Sequence, residues 1–316
     1  QLKEFPDHYI AHVNEGLGTK DLIADDVEAL TGRCYYGAIG QDVARSIFHD
    51  MITAGAHPFS VEMHLTVGSK WWFEDPRMVS KFTRGFAYAC REAGCEWDGG
   101  ETAILRDITV PGTADISGSA VGIVYPKKRV IEPRIESGDA IVMFAASGIH
   151  ANSATFMRDI AKQLPRGYRT RVKNSKTFGE LLLAPAPNYV AAIEACLDAE
   201  VEIHYAVHIS GHGWRKLMRL DEPFEYIIET LPPALPLFEF LRTRELVREY
   251  DLYADTTAGA GFALYVPQSE IERVIAIAQS CGIYAWHAGF VRKSAEKRVV
   301  IPSKQIEFTK ESLQIR

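Results

Sequence analysis

Segments with the two-residue period of β-strands alternate with segments of helical period along the first half of the chain. Tyr9–Val13 and Phe59–Leu65 alternate like strands, whereas residues 40–54 and 76–93 carry apolar stripes at helical spacing. A chain in which strands and helices alternate packs its helices against a sheet. The pattern therefore predicts a compact α/β or α+β domain that ends near Ser137.

A second domain is predicted from Gly138 onward. It opens with the apolar strand Ala140–Ala145, and further helical and strand patterns follow at residues 188–199, 201–207, 237–246, 262–266 and 269–280. We therefore divide the chain into residues 1–137 and 138–316, both of mixed α and β structure.

The composition is that of an ordinary globular protein and excludes several classes of function. Of the 316 residues, 47% are hydrophobic and 24% charged, and the net charge of −6 gives no basic field or arm for nucleic acid. No apolar run reaches the roughly 18 residues of a membrane helix, and no signal-peptide pattern opens the chain. The five cysteines are scattered without a CxxC pair, which favours reduced thiols in a cytoplasmic protein. Since the sequence begins with Gln, we expect further chain upstream.

The first glycine motif, EGLGTK from Glu15 to Lys20, directly follows a predicted strand. Gly16 and Gly18 leave backbone N–H groups open, Lys20 adds a positive charge, and the Glu15 carboxylate is able to bind a metal. The glycine spacing differs from that of P-loop NTPases. A phosphate-binding loop and a solvated β-turn both stay open here.

The second glycine motif, GGETA from Gly99 to Ala103, lies between a predicted helix and the predicted strand Ser119–Tyr125. Paired glycines permit a sharp turn and close approach of a ligand. The Glu101 carboxylate can hold a cation, and the Thr102 hydroxyl an oxyanion or the same metal. The alternative is a plain tight turn.

Asp50 lies on the apolar stripe of the helix predicted at residues 40–54, seven residues after Val43. A carboxylate in such a place is unfavourable unless it is paired or binds a cation. Asp42 and His49 share the adjacent face. The alternative interpretation is an Asp50 that pairs with Arg45 or caps the next turn.

Polar residues follow two strands of the second half. Ser147–Ser153, with His150 and Asn152, begins a predicted helix whose N–H groups favour an anion, although Asn152 or Ser153 is equally suited to capping that helix. The turn lacks the G-x-S-x-G pattern, which excludes a serine hydrolase. After the strand at 201–207 comes HISGHG, which favours a ligand-contacting or packed turn over a zinc site because it has no HExxH pattern.

The chain resembles the aminoimidazole ribonucleotide synthetase family, the phosphoribosylformylglycinamidine cyclo-ligases of purine synthesis, in the order of seven motifs: GLGTK, IGQDVARSIFHDMITAGA, GGETA, DISG, ASGIHANS, HISGHG and PPALPLFEFL. The resemblance extends from about Glu15 to Gly289. It implies a PurM-like fold of two domains, with an N-terminal β-barrel at the interface of a homodimer and a C-terminal α/β domain beside it. It also implies the use of ATP and Mg²⁺, and it leaves a monovalent cation open.

The reaction implied by the resemblance transfers the γ-phosphoryl group of ATP to the formyl-derived amide oxygen of formylglycinamidine ribonucleotide, after which a neighbouring nitrogen closes the imidazole ring. The implied metal ligands are Glu15, Asp42, Asp50 and Glu101. The implied ATP contacts are Gly16, Gly18, Thr19, Lys20, Gly99, Gly100, Thr102 and Asp115. The implied substrate contacts are Ser147, Gly148, Asn152, His208 and Gly211, and the implied catalytic groups are Lys20 and His150, the latter for proton transfer or orientation of the amide.

The sequence departs from the family pattern at several positions. Glu15 stands where the family has Asp, which still permits metal binding, His49 where it has Asn, and His212 where it has a third Gly. The family's Pro-Thr-Arg is replaced by residues 185–188, Pro-Ala-Pro-Asn, which lack an Arg able to serve a phosphate. A divergent enzyme with another substrate and a catalytically silent homologue therefore stay open beside the cyclo-ligase.

Overall fold

The structure, a computed structural model, describes residues 2–172 and 176–313. The chain forms two compact units, each built on one sheet: residues up to 52, 56–128 and 147–190 make the first, and residues 53–55, 129–146 and those from 191 onward make the second. The boundary predicted between residues 137 and 138 lies within a segment of the second unit. By its contacts, the segment 147–190 groups with the first compact unit, and the division of the chain after residue 137 stays a prediction.

The first unit is built on a five-stranded sheet. Its strands are β1 Leu2–Glu4, β2 Tyr9–Gly16, β3 His57–Val67, β4 Glu96–Ile104 and β5 Ala114–Val124. The strand order is β1-β2-β5-β3-β4, and every neighbouring pair is antiparallel except β3 and β4. Strands β1 and β4 are therefore the edges of this sheet.

Among the described residues, six α-helices belong to the first unit. They are α1 Lys20–Thr31, α2 Tyr36–Ile52, α3 Trp71–Glu74, α4 Pro76–Ala93, α5 Ala154–Gln163 and α6 Phe178–Leu182. Helix α2 packs on β2, β3 and β5, and α4 packs on α2. The two helices approach closely because glycine stands at their contact. A Cβ atom added at Gly40 would lie 2.3 Å from the Phe82 carbonyl oxygen, and one at Gly85 would lie 2.1 Å from the Gly37 carbonyl oxygen.

Helix α4 shows how local sequence sets helix ends. The Asp75 side chain accepts hydrogen bonds from the backbone N–H groups of Arg77 and Met78, and Pro76 occupies the first turn, where it costs no hydrogen bond. Gly94 ends the helix in the left-handed conformation, with φ of 68°. The helix predicted over residues 76–93 is confirmed with both its ends.

The second unit is built on a seven-stranded sheet with the order β12-β11-β8-β10-β6-β9-β7. Its strands are β6 Ala140–Ala145, β7 Tyr205–His208, β8 Phe224–Ile228, β9 Ala260–Val266, β10 Ala285–Lys293, β11 Arg298–Ile301 and β12 Ile306–Thr309. The accompanying helices are α7 Val190–Asp198, α8 Pro236–Thr243, α9 Glu249–Asp255 and α10 Ile271–Ser280. Strands β6 and β9 are buried along almost their whole length, as their apolar sequences require.

The predicted mixture of helices and sheets is confirmed in both units. The structure also contains elements that the sequence patterns do not predict. They are α1, β8, α9 and the strands after residue 282. All five cysteines are free thiols. Burial raises the pKa of Cys90 to about 12, which agrees with its predicted place in the core of α4. Within residues 2–172 and 176–313, every helix is too short or too polar to span a membrane.

Candidate active site

A buried ion pair joins the first glycine motif to α2. The Lys20 ammonium lies 2.6 Å from one carboxylate oxygen of Asp42, and neither side chain is accessible to solvent. The other Asp42 oxygen accepts a 2.7 Å hydrogen bond from the Ala186 N–H, and Lys20 also donates to the Ala184 carbonyl at 3.3 Å. Lys20 was predicted to meet phosphates and Asp42 to bind metal, but each is held by the other and by the backbone at residues 184–186.

That backbone belongs to residues Ala184–Tyr189, which we call the proline segment. Other polar side chains also form hydrogen bonds with its backbone. The Ser147 hydroxyl donates a 2.6 Å hydrogen bond to the Pro185 carbonyl, and the Arg45 guanidinium donates to the Ala186 carbonyl. Further along, the Tyr189 N–H donates to His49 Nε2 at 3.4 Å. This segment carries the Pro-Ala-Pro-Asn departure from the family pattern.

His150 faces the same region from the turn before α5. It is 2% exposed, its φ of 56° is left-handed, and its ring centroid lies 6.2 Å from that of Tyr189. The Ser147 N–H donates to His150 Nε2 at 3.3 Å, so this nitrogen is unprotonated in that contact. Asn152 and Gly148 belong to the same turn. Ser153 is the N-cap residue of α5, but its side chain makes no capping hydrogen bond, and so the predicted capping role is wrong for Ser153.

The first glycine motif forms a strand–turn–helix junction. Gly16 ends β2, Gly18 adopts the left-handed φ of 68°, and Thr19 immediately precedes the 12-residue helix α1. The Leu17 N–H donates to the Ile116 carbonyl, next to Asp115, whose side chain is exposed. The open N–H groups of α1 and its dipole make this end of the helix suited to an anion.

The second glycine motif is not a turn, and both predictions of a turn there are wrong. Gly99 and Gly100 lie inside edge strand β4, at a bulge where Asp98 is the extra residue opposite β3. A Cβ atom at Gly100 would lie 1.8 Å from the Met63 carbonyl oxygen, so glycine permits close strand pairing there. Glu101 and Thr102 are exposed on the same strand.

The four predicted metal ligands do not form a ready-made site. Asp42 is taken by Lys20 and the Ala186 N–H, whereas Glu15 and Asp50 are half-buried and Glu101 is exposed on β4. In the described part of the chain, no three or more His, Cys, Asp or Glu side chains are grouped so as to hold a metal ion. The carboxylate set implied by the resemblance thus does not fit a preformed metal centre.

Asp21 is a buried carboxyl group that the sequence analysis missed. It is 1% exposed, and neither of its oxygens has a hydrogen-bond partner among the described residues. Burial, and then the nearby Asp25 carboxylate, raise its pKa to about 7. A prediction of helix α1 would have indicated it, because a helix that begins at Lys20 buries Asp21 on the same side as Ile23 and Ala24.

Two predicted substrate contacts, His208 and Gly211, belong to the second unit. His208 is the last residue of β7 and is 5% exposed, and Gly211 follows in the turn after it. His212, where the family has Gly, adopts a φ of 70°. Burial, and then the neighbouring Arg215 and Lys216 charges, lower the pKa of His212.

Comparisons with known proteins identify what the chain resembles. The family model described as AIR synthase related protein, N-terminal domain, matches residues 7–124, and the corresponding C-terminal domain model matches residues 136–302. A phosphoribosylformylglycinamidine cyclo-ligase of Methanocaldococcus jannaschii is 30% identical over 298 residues, which are 93% of this chain and 81% of that protein.

Solved structures share the fold at low sequence identity. Thermotoga maritima PurL complexed with ATP superposes with a TM-score of 0.62 at 15% identity, covering 99% of this chain and 45% of that one. A structure of a HypE–HypF complex gives a TM-score of 0.64 at 15% identity, covering 97% of this chain and 91% of the other. Together with the two family models, these likenesses confirm the predicted PurM-like fold.

Proposed function

The chain belongs to the AIR synthase related family, and on that premise we propose that it is an ATP-dependent cyclo-ligase of purine biosynthesis. It converts formylglycinamidine ribonucleotide and ATP to aminoimidazole ribonucleotide, ADP and phosphate. The observation that carries the proposal is the 30% identity to a cyclo-ligase along 93% of the chain.

The proposed reaction makes a poor leaving group into a good one. The amide oxygen of the substrate takes the γ-phosphoryl group as the bond from that group to ADP breaks. The neighbouring nitrogen then attacks the amide carbon, phosphate departs with the former amide oxygen, and loss of a proton leaves the neutral imidazole. Each step needs positioned charges and a proton acceptor rather than a covalent enzyme intermediate.

The phosphates of ATP are assigned to the turn at Gly16, Gly18 and Thr19. This assignment is supported by the open N-terminal N–H groups of α1 behind that turn. Lys20 serves the turn indirectly, because its ion pair with Asp42 fixes where α1 begins. Gly99, Gly100, Thr102 and Asp115 stay candidate nucleotide contacts.

His150 is the proposed group that holds or moves the proton. Its Nε2 accepts the Ser147 N–H, so the neutral ring carries its proton on Nδ1 and is suited to holding a proton or orienting the amide. Ser147, Gly148 and Asn152 are assigned to the substrate with it, and His208 and Gly211 stay proposed substrate contacts.

We propose that the triphosphate of ATP would bring Mg²⁺ as its counter-ion, which would neutralise the phosphate charge. Glu15, Asp50 and Glu101 stay the proposed protein ligands, and Asp42 is removed from that set because Lys20 and Ala186 occupy its oxygens. A monovalent cation stays open.

We also propose a cytoplasmic homodimer that forms through the five-stranded sheet. His12, Glu62 and His64 alternate with buried residues and leave one face of this sheet exposed, with Val121 on it. Light scattering is expected to give twice the chain mass of 35.2 kDa. Val121→Glu is expected to yield monomers, while Tyr284→Glu, at an exposed aromatic of the second unit, leaves the mass unchanged. A monomeric wild type contradicts this part of the proposal.

The decisive assay mixes the protein with ATP, Mg²⁺ and formylglycinamidine ribonucleotide and measures ADP and aminoimidazole ribonucleotide together. Stoichiometric formation of both supports the cyclo-ligase. ADP with a different phosphorylated or cyclised product from another amide favours the second candidate. That candidate is motivated by Pro187-Asn188 in place of the family's Thr-Arg. No thermal stabilisation by ATP with Mg²⁺ indicates a silent homologue.

A further inference from the structure

Arg45 and Asp42 of helix α2 bind the two backbone polar groups of one residue, Ala186. The Ala186 N–H donates to Asp42 at 2.7 Å, and the Ala186 carbonyl accepts from Arg45 Nη1. Residues three apart on a helix share a face, so both side chains reach the proline segment together. The orientation of this part of the segment is therefore set by α2.

The other end of the Arg45 side chain is fixed by helix α4. Nη2 forms an ion pair with Glu92, the Tyr88 hydroxyl donates to the same carboxylate at 2.7 Å, and the Tyr88 ring centroid lies 5.9 Å from the guanidinium. The Glu92 carbonyl in turn accepts from the Asn188 side chain at 3.1 Å. The proline segment is thus tied to α4 as well as to α2.

The Arg45 guanidinium is not itself a ligand group. Its side chain is only 7% exposed, its charge is balanced by Glu92, and a planar fork with two fixed partners has little freedom to turn toward a substrate. Its effect on chemistry must pass through the groups it holds.

The backbone that Arg45 holds is connected to His150 by hydrogen bonds through Ser147. The Pro185 carbonyl, which shares a peptide unit with the Ala186 N–H, accepts a hydrogen bond from the Ser147 hydroxyl, and the Ser147 N–H donates to His150 Nε2. A shift of the proline segment therefore moves the Ser147 turn and the imidazole beside it. A displacement of about 1 Å at a reacting group can lower a rate by about a hundredfold.

We propose that Arg45 is a positioning residue for His150, acting through the Pro185–Ala186 backbone and the Ser147 turn. The inference rests on the proposed cyclo-ligase function only for its kinetic readout. Arg45 together with Glu92 is thereby a determinant of catalysis outside the motifs that carry the substrate contacts.

The kinetic test compares Arg45→Met with Arg45→Lys and with Arg129→Met. Arg129 is a matched control in the second unit, where its guanidinium pairs with Glu194 and Asp198. We expect Arg45→Met to lower kcat by about 10- to 100-fold with KM for ATP within about twofold, Arg45→Lys to recover part of the loss, and Arg129→Met to change neither. Unchanged kcat in Arg45→Met, or an equal loss in the control, overturns the inference. If Arg45→Met does not fold, Arg45→Lys and Glu92→Gln replace it.

A second readout is independent of the reaction. Imidazole ¹⁵N chemical shifts of His150 report which ring nitrogen carries the proton. We expect the wild type and Arg129→Met to keep the proton on Nδ1, and Arg45→Met, Arg45→Lys and Glu92→Gln to shift toward a mixture of tautomers. Identical spectra in all variants overturn the positioning role. A wild type with no turnover but with this change of tautomer contradicts only the proposed function.

Discussion

At the residue scale, the contact between Lys20 and Asp42 changes the roles that the motifs suggest. Both residue types suit a magnesium–phosphate site, yet their side chains are fully buried against each other and the proline segment. No local pattern reveals this, because the partners are 22 residues apart and meet only when α1 packs on α2. Asp21 was missed because helix α1, which turns it inward, was not predicted.

Breaking the buried pair is expected to cost much of the stability. Lys20→Met leaves the Asp42 carboxylate buried without its cation, and we expect a loss of about 3–5 kcal/mol in the free energy of unfolding. Asp42→Asn is expected to lower the free energy of unfolding by a similar amount, because it leaves the Lys20 ammonium buried without its carboxylate. The double variant should lose clearly less than the sum, measured as a double-mutant cycle in urea. Additive losses contradict the account of the pair.

The Asp21 carboxyl predicts a pH dependence of stability. Its folded-state pKa of about 7 lies above the unfolded value of about 3.9, so the folded state binds more protons between these values and stability falls as the pH rises from about 4 to 7. Asp21→Asn removes this dependence. We therefore expect the free energy of unfolding of the variant, relative to that of the wild type, to be about 2–3 kcal/mol higher at pH 8 than at pH 5. Urea unfolding at the two pH values measures this difference.

The control for this prediction is Asp26→Asn, which removes an exposed carboxylate from the same helix. Its stability relative to the wild type is expected to change little between the two pH values. A stability difference for Asp21→Asn that is the same at pH 5 and pH 8 counts against the buried, partnerless carboxyl.

At the scale of elements, the sequence predicts those with strong local signals and misses those that depend on pairing. Helix α4 has a capping Asp75, a first-turn proline and a terminal Gly94, and its bounds match the prediction. The pair Gly99–Gly100 has the composition of a turn, but it forms part of strand β4 because its backbone pairs with strand β3. Helix α1 was not predicted, because the motif before it was interpreted only as a phosphate-binding loop or a β-turn and no pattern was assigned to the residues after Lys20.

The glycines of β4 give a prediction with an internal control. At Gly100 an added Cβ would meet the Met63 carbonyl oxygen at 1.8 Å, whereas at Gly99 nothing lies within 4 Å, and the two have similar φ values of 145° and 156°. Both alanine variants carry backbone strain, but only Gly100→Ala must displace β4. We expect it to lower the free energy of unfolding by at least about 2 kcal/mol more than Gly99→Ala does, measured by urea unfolding. Equal losses contradict the close pairing of β3 and β4.

At the scale of the whole molecule, the resemblance predicts more than the residue patterns do. The order of motifs predicts the PurM-like fold, which the family models and solved structures confirm. It does not predict that residues 147–190 belong to the first compact unit, because that grouping depends on contacts such as Ser147 with Pro185 and Asp42 with Ala186. The proposed ligand contacts come from the resemblance, whereas the proposed positioning roles come from the packing contacts.

The central claim is that ATP phosphorylates the amide oxygen of the substrate before the ring closes. The most direct measurement uses formylglycinamidine ribonucleotide labelled with ¹⁸O in that amide and follows the label by mass spectrometry during turnover with ATP and Mg²⁺. The account predicts one ¹⁸O atom in each molecule of inorganic phosphate and none in aminoimidazole ribonucleotide. Turnover that releases unlabelled phosphate, or a protein that forms no product from this substrate, contradicts it.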